Sequence, residues 1–269
     1  MVEYILISVP KNKMNVDEIL VFLNDAEIDI FEINSLSVRI EQKTGQLQRK
    51  LETLMKRGLL SRIEKGKYCR YNFRNAFVIA NYLAPEGAVA YWSALNLHGL
   101  TTQFPNTVFV QTPKLKRNKT VFGVNYQFVK VKPSKAVCYE QSGYGNHAFK
   151  LTTIEKTMVD CFDLPDYNGG YSELILALTK VKLNNKKLIE VAKAVDNIAV
   201  IKRLGYLMEV LQKEGMSVFL KYALDCVNQK YNVNILDPSL DDKGVFNKKW
   251  NLRINISEED ILAMNQNLY

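Results

Sequence analysis

The sequence predicts an α+β protein of two domains. A small helical domain closed by a β-hairpin spans residues 1–78, and a larger domain of helices packed on a small β-sheet spans 79–269. Three observations lead there. The 269 residues are 47% apolar with only 7 Pro and 13 Gly, which is enough apolar material for two ordinary cores and too few breakers for a disordered chain. Apolar residues recur at helical spacing before Gly58 and again after Thr153, whereas alternation is confined to short runs such as LLSRI, KYCRYNF, TVFVQT and YQFVKV. Charge is also unevenly placed. The first 38 residues hold two basic residues against seven acids, while Arg39 to Arg74 holds eleven basic residues against three acids.

Taken in order, the opening VEYILISV reads as a strand, and it lacks the basic leader of an export signal. Asn15 can cap a first helix, with Glu18 reaching back to it in a capping box and Ile19, Leu20, Phe22 and Leu23 as the apolar face, ending near Glu27. A short second helix falls between Phe31 and Ile40. In KTGQLQRKLETLMKRGLL, Thr44 is the expected cap, Leu47, Leu51, Leu54 and Met55 form one buried stripe, and Gly58 is the stop. LLSRI and KYCRYNF then pair as a hairpin around Glu64, Lys65 and Gly66.

Helices followed by a basic hairpin are the layout of a winged helix-turn-helix. The third helix is the expected recognition helix, presenting Lys43, Thr44, Gln46, Gln48, Arg49, Lys50 and Thr53, side chains able to bond base edges or phosphates. Arg62, Lys65 and Lys67 on the hairpin are the expected backbone contacts. A second basic patch runs from Pro113 to Lys135, where Lys114, Lys116, Arg117 and Lys119 meet no acid. A solvated helix face could carry similar charges; cap, stripe, order and hairpin together favour duplex DNA.

The larger domain opens with PEGAVAYWSALNLHGL, read as one helix starting at Pro85 and closed by His98 and Gly99. His98 therefore marks a helix end, where it can bond the last free carbonyls, rather than a general base; the only other histidine is His147, in the glycine-rich QSGYGNHAF. TVFVQT, YQFVKV and KAVCYE are the expected strands. Thr153 caps TIEKTMVDCFDLPD, and SELILALTKV, NKKLIEVAKAV, AVIKRLGYLMEVLQKEG and VFLKYALDCV continue as helices.

YWSALNLHGLT, VQTPKLKR, LTTIEKTMVDCFDLPDYNGG and KRLGYLMEV, in that order, resemble the signature segments of the AbiEi family, antitoxins of type IV toxin-antitoxin systems. The winged helix ahead of them and the tail ILDPSLDDKGVFNKKWNLRINI fit as well, so the resemblance covers nearly the whole chain. The chain departs from the family in its opening strand and in TTIEKT, where a proline is expected before the glutamate. The resemblance implies an autorepressor binding inverted repeats in its own promoter, and antagonism of a nucleotidyltransferase-like toxin of the AbiEii type without a stable complex. It implies no catalytic residues.

An enzyme is the competing class. Lys114, Arg117, Glu155, Lys156, Asp160 and Asp163 could converge near the Gly169–Gly170 turn. Glu155 and Asp160, however, point about 140° apart on one helix, and Asp163 lies about 80° from Glu155. No CxxC, P-loop, GxGxxG or HExxH motif occurs, and the one acid-x-Lys triplet after Asp166 is Asp241, Asp242, Lys243 in the tail. A binding protein with no cofactor, metal or catalytic residue is expected, soluble and cytoplasmic, since no apolar run approaches the roughly 20 residues that cross a bilayer. The four scattered cysteines are expected to be reduced and structural.

Overall fold

The computed structural model describes residues 14–103, 106–229 and 232–266. The expected opening strand of residues 2–9 lies outside them. The chain is mixed α+β and divides into two compact units, residues 1–85 with 143–148, and residues 86–142 with 149–269.

In the first unit, α1 (Val16–Asp25) starts at the anticipated capping box. The Asn15 side chain accepts from the amides of Asp17 and Glu18, and Glu18 accepts from the Asn15 amide at 2.6 Å. Then follow β1 (Ile30–Glu32), α2 (Ile33–Arg39), α3 (Thr44–Lys56), β2 (Leu60–Glu64), β3 (Lys67–Arg70) and α4 (Ala76–Leu83). The three strands form an antiparallel sheet in the order β1-β3-β2, with a bulge between Arg62 and Glu64. Leu47, Leu51 and Leu54 of α3 are wholly buried against Ile19, Leu23, Leu36, Leu60 and Tyr68. Each such side chain contributes about 1.5–3 kcal/mol on burial. The expected break after residue 78 falls inside α4, whose Val78, Ile79, Ala80 and Leu83 are buried, so the unit runs on to Pro85.

The second unit is built on a six-stranded mixed sheet, larger than the small sheet anticipated. Its strands are β4 (Ala88–Val89), β5 (Thr107–Thr112), β6 (Lys119–Val121), β7 (Val124–Lys130), β8 (Tyr139–Ser142) and β9 (Phe149–Thr152), in the order β6-β7-β5-β4-β9-β8. β5 and β7, and β4 and β9, run parallel; the other neighbours are antiparallel. α5 (Tyr91–Leu97) follows β4; α6 (Ile154–Asp163), α7 (Tyr171–Lys180), α8 (Asn185–Val195), α9 (Ile198–Val210) and α10 (Ser217–Gln229) follow the sheet. The tail adds β10 (Asn234–Ile235), β11 (Val245–Asn247), β12 (Leu252–Ile254) and α11 (Glu258–Gln266), with sheet order β10-β12-β11. Trp250 is wholly buried against Gly205 of α9, where any Cβ would sit 2.2 Å from the indole ring.

Two sequence expectations are corrected here. Helix α5 begins at Tyr91 and not at Pro85, because Ala88–Val89 pairs with both β5 and β9 at the centre of the sheet. A short apolar run of this kind has no periodicity to separate strand from helix, and its pairing partners decide. The strand expected at KAVCYE starts at Tyr139, since Pro133–Lys135 is a 3₁₀ turn and Cys138 takes a left-handed φ of 58°. Among the described residues no helix is long and apolar enough to cross a membrane.

Candidate nucleic-acid interface

α3 owes its exposed side to the leucine stripe on the other. At about 100° per residue, Arg49 falls nearly opposite the centre of Leu47, Leu51 and Leu54, with Gln46 and Thr53 on one flank and Gln48 on the other. Gln46, Gln48 and Arg49 are exposed and Thr53 half-buried. Gln48 donates to Glu52 at 3.1 Å, one turn on, and the Thr53 hydroxyl donates to the Arg49 carbonyl at 3.1 Å. Lys43 is itself the exposed N-cap residue, so the expected Thr44 cap is not made: the Thr44 hydroxyl donates to Ser37 at 3.3 Å and ties α3 to α2. On the hairpin, Lys65 is exposed at the turn, and exposed Arg62 donates to the Glu64 carbonyl at 3.4 Å.

Lys50 and Lys67 have other work. The Lys50 ammonium donates to the Met14 carbonyl and, at 3.0 Å, to the Gln42 side chain, which in turn donates to the same carbonyl. Lys67, its side chain 15% exposed, pairs with Glu64 at 2.9 Å and Glu32 at 3.7 Å and donates to the Tyr82 carbonyl. Both lysines hold the fold, since their ammonium groups are bound by oxygens of the first unit. Arg57 likewise pairs with Asp17 at 2.7 Å, and Arg70 with Asn24 and Asp29, burial lowering the Arg70 pKa against the opposing pull of Asp29. Sequence reasoning omitted exposed Arg39 and Lys56. Lys56 was findable, because it lies seven residues after Arg49 and so on the same side of the helix.

In the second unit, Lys114 and Arg117 are exposed on the loop between β5 and β6, while the Lys116 ammonium sits 5.3 Å from the Phe128 ring centroid and Lys119 begins β6. The acids of the enzyme alternative do not share a site. Glu155 accepts from the Asn184 amide at 2.9 Å, and Asp163 binds Lys135 at 2.5 Å and Asn197 at 2.7 Å. Asp160 joins a buried network in which Gln111 donates to it at 2.9 Å and to Tyr91 at 3.1 Å, while Lys156 donates to both Asp160 and Gln111. Burial pushes the Asp160 carboxyl up to about 6, against the downward pull of Lys156.

His98 does close α5, with Gly99 at φ 69° supplying the left-handed residue, but its ring does not bond its own helix. Its Nε2 donates to the Thr152 carbonyl at the end of β9, 2.8 Å away. His147 lies 2.7 Å from Asp29 within the first unit. Beside it, the Asn146 side chain accepts from the amides of Asp29 and Ile30 and donates to the Ile30 carbonyl, closing the open edge of β1. Among the described residues no group of three or more His, Cys, Asp or Glu could hold a metal ion.

The chain is thus an α+β protein with exposed cations on α3, on the β2–β3 hairpin and on the β5–β6 loop. No protein-family model matches it. No curated protein matches it either. Among solved structures, the fold is similar to that in the crystal structure of the RV2827C protein from Mycobacterium tuberculosis, with a TM-score of 0.61 at 12% identity, covering 95% of this chain and 97% of that one. At that identity the likeness is one of fold.

Proposed function

We propose that the protein is a DNA-binding transcriptional regulator whose first unit is a winged helix-turn-helix, with α3 entering the major groove and the β2–β3 hairpin lying along the backbone. The observation that carries this is the pairing of Gln46, Gln48, Arg49 and Thr53 on the outward side of α3 with exposed Arg62 and Lys65 on the hairpin next in sequence. Glutamine and arginine supply the bidentate contacts that read adenine and guanine, and the hairpin cations supply sequence-independent phosphate contacts. The element order helix, strand, two helices and a hairpin, with β1 completing a three-stranded sheet, suits that arrangement.

On the resemblance of its second unit to the AbiEi family, the protein is a cytoplasmic autorepressor and antitoxin that counteracts a nucleotidyltransferase-like toxin. Two copies would occupy the half-sites of an inverted repeat, since operator symmetry mirrors protein symmetry. The test has two arms. Footprinting on the DNA upstream of its own reading frame should give two symmetric protected half-sites, and co-expression should rescue cells from a toxin encoded in the neighbouring frame. Protection without rescue would leave an orphan regulator; absence of both would overturn the reading.

A further inference from the structure

The loop joining β5 to β6, residues 113–118, is pinned at both stems and apolar at its tip. The Thr112 hydroxyl accepts from the Lys114 amide at 3.2 Å, and the Asn118 side chain accepts from the Phe128 amide at 3.0 Å. Lys116 lies against the Phe128 ring. Between these anchors Leu115 is 82% exposed. It has Lys114 before it and Lys116 and Arg117 after it, and no acid occurs from Pro113 to Lys135. Exposed Lys130 and Lys132 stand at the same end of the sheet, because Thr112 and Lys130 are paired across parallel β5 and β7. The acid nearest in the bonding pattern, Glu86, accepts from the Thr112 hydroxyl.

A lone exposed leucine needs no explanation. A leucine held out at a fixed tip with cations on both sides is the arrangement used by proteins that push one apolar side chain between base pairs from the minor groove while cations take the flanking phosphates. A membrane is the poorer fit, since one leucine offers far less apolar surface than a single acyl chain, which itself binds bilayers only marginally. We propose that this loop is a minor-groove wedge, Leu115 entering between base pairs of duplex DNA with Lys114 and Arg117 on the adjacent phosphates. This rests on the duplex-binding reading of the first unit and adds to it a second, apolar contact.

The test uses the full chain and a duplex with 2-aminopurine placed at several TA steps, which unstack most readily. Anisotropy follows binding and 2-aminopurine emission follows unstacking. The wild-type protein should raise the emission. Leu115→Ala should lose most of that rise with its salt slope unchanged, and Leu115→Met should keep it. Lys114→Ala and Arg117→Ala should each flatten the slope of log affinity against log salt by roughly 0.9. Salt-dependent binding with no change in emission, or an unaltered rise with Leu115→Ala, would overturn the wedge and leave the regulator intact. Absence of any duplex binding would remove both. Leu115-dependent flotation with phosphatidylserine vesicles, without any emission change on DNA, would overturn the wedge in favour of a membrane contact.

Discussion

Helices α3 and α9 are each 13 residues long, and each sets charged residues beside an apolar stripe, yet the charges have opposite fates. On α3, Arg49 and Lys56 face solvent. On α9, Lys202 and Arg203 are buried: Lys202 donates to Asn232 and Asn234, and Arg203 to the carbonyls of Ile235 and Phe162. Burial lowers the pKa of both, and the surrounding oxygens give each buried cation its hydrogen-bond partners. The segments KRLGYLMEV and TTIEKTMVDCF both turn their charges inward. KRLGYLMEV grips β10 and its approach through Lys202 and Arg203 and receives Trp250 at Gly205, where the indole N–H donates to Glu209 at 2.7 Å. TTIEKTMVDCF supplies the Lys156–Asp160 pair. Those two segments build the second unit, whereas the exposed side of α3 keeps its charges in solvent.

If that contrast is right, removing an inward charge should damage folding and removing an outward one should damage binding. The largest effect is expected at Lys156. Lys156→Met leaves Asp160 buried beside Gln111 without its cation, which should cost about 3–5 kcal/mol in denaturant unfolding. Adding Asp160→Leu should recover much of the loss, because an apolar pair needs no compensating charge. A single-variant loss under about 1 kcal/mol would place the pair in effective contact with water and break the comparison.

The same carboxyl gives a pH dependence. Its folded value of about 6 lies above its ordinary 3.8, so between those values the folded state holds a proton that the unfolded state has lost. Its contribution to stability is therefore fully present below about pH 4 and declines as pH rises to 6, by on the order of 1–3 kcal/mol. Asp160→Asn should lower stability overall yet abolish that decline, so the advantage of the wild-type chain over the variant should be greater at pH 4 than at pH 7. Urea unfolding at both pH values reads it. An advantage that grows with pH would mean that Lys156, and not burial, governs the carboxyl.

How much of this was legible follows the reach of each interaction. The Asn15–Glu18 capping box and the Leu47, Leu51, Leu54 stripe are complete within a few residues, and the sequence alone exposes them. Of the six-stranded sheet, β5 and β7 were legible as alternating runs and the start of β8 as a further strand, but β4 was not, because its two residues are identified by partners at Val110, Gln111 and Leu151. The same holds for the candidate interface. Nothing local tells that Lys50 reaches Met14 or that Lys67 reaches Tyr82, and so two of the named cations face inward instead of outward. Position along a helix reported which side a residue occupied; only the tertiary neighbours reported whether its charge was already spent.

On the outward side, Gln48→Ala or Arg49→Ala should each weaken binding to the specific site by about 1–3 kcal/mol while barely altering random duplex, the mark of base readout. Competition titrations at fixed salt measure the ratio. Equal losses on both duplexes would turn α3 into a mere phosphate contact and would shift sequence choice to another part of the molecule.

The smallest effect sharpens the comparison most, because it separates two lysines only two residues apart. Lys65 is exposed at the hairpin turn, whereas Lys67 is bound to Glu64, Glu32 and the Tyr82 carbonyl. Lys65→Ala should leave the melting temperature unchanged and flatten the salt dependence on every duplex by roughly one phosphate contact, a slope change of about 0.9. Lys67→Ala should do the reverse, lowering the melting temperature by leaving two carboxylates facing each other beside an unbonded carbonyl while the salt slope stays put. Measured side by side, an exchange of those two phenotypes would mean that the hairpin releases Lys67 to meet DNA, and the line drawn between inward and outward charge would then have to run through a moving part.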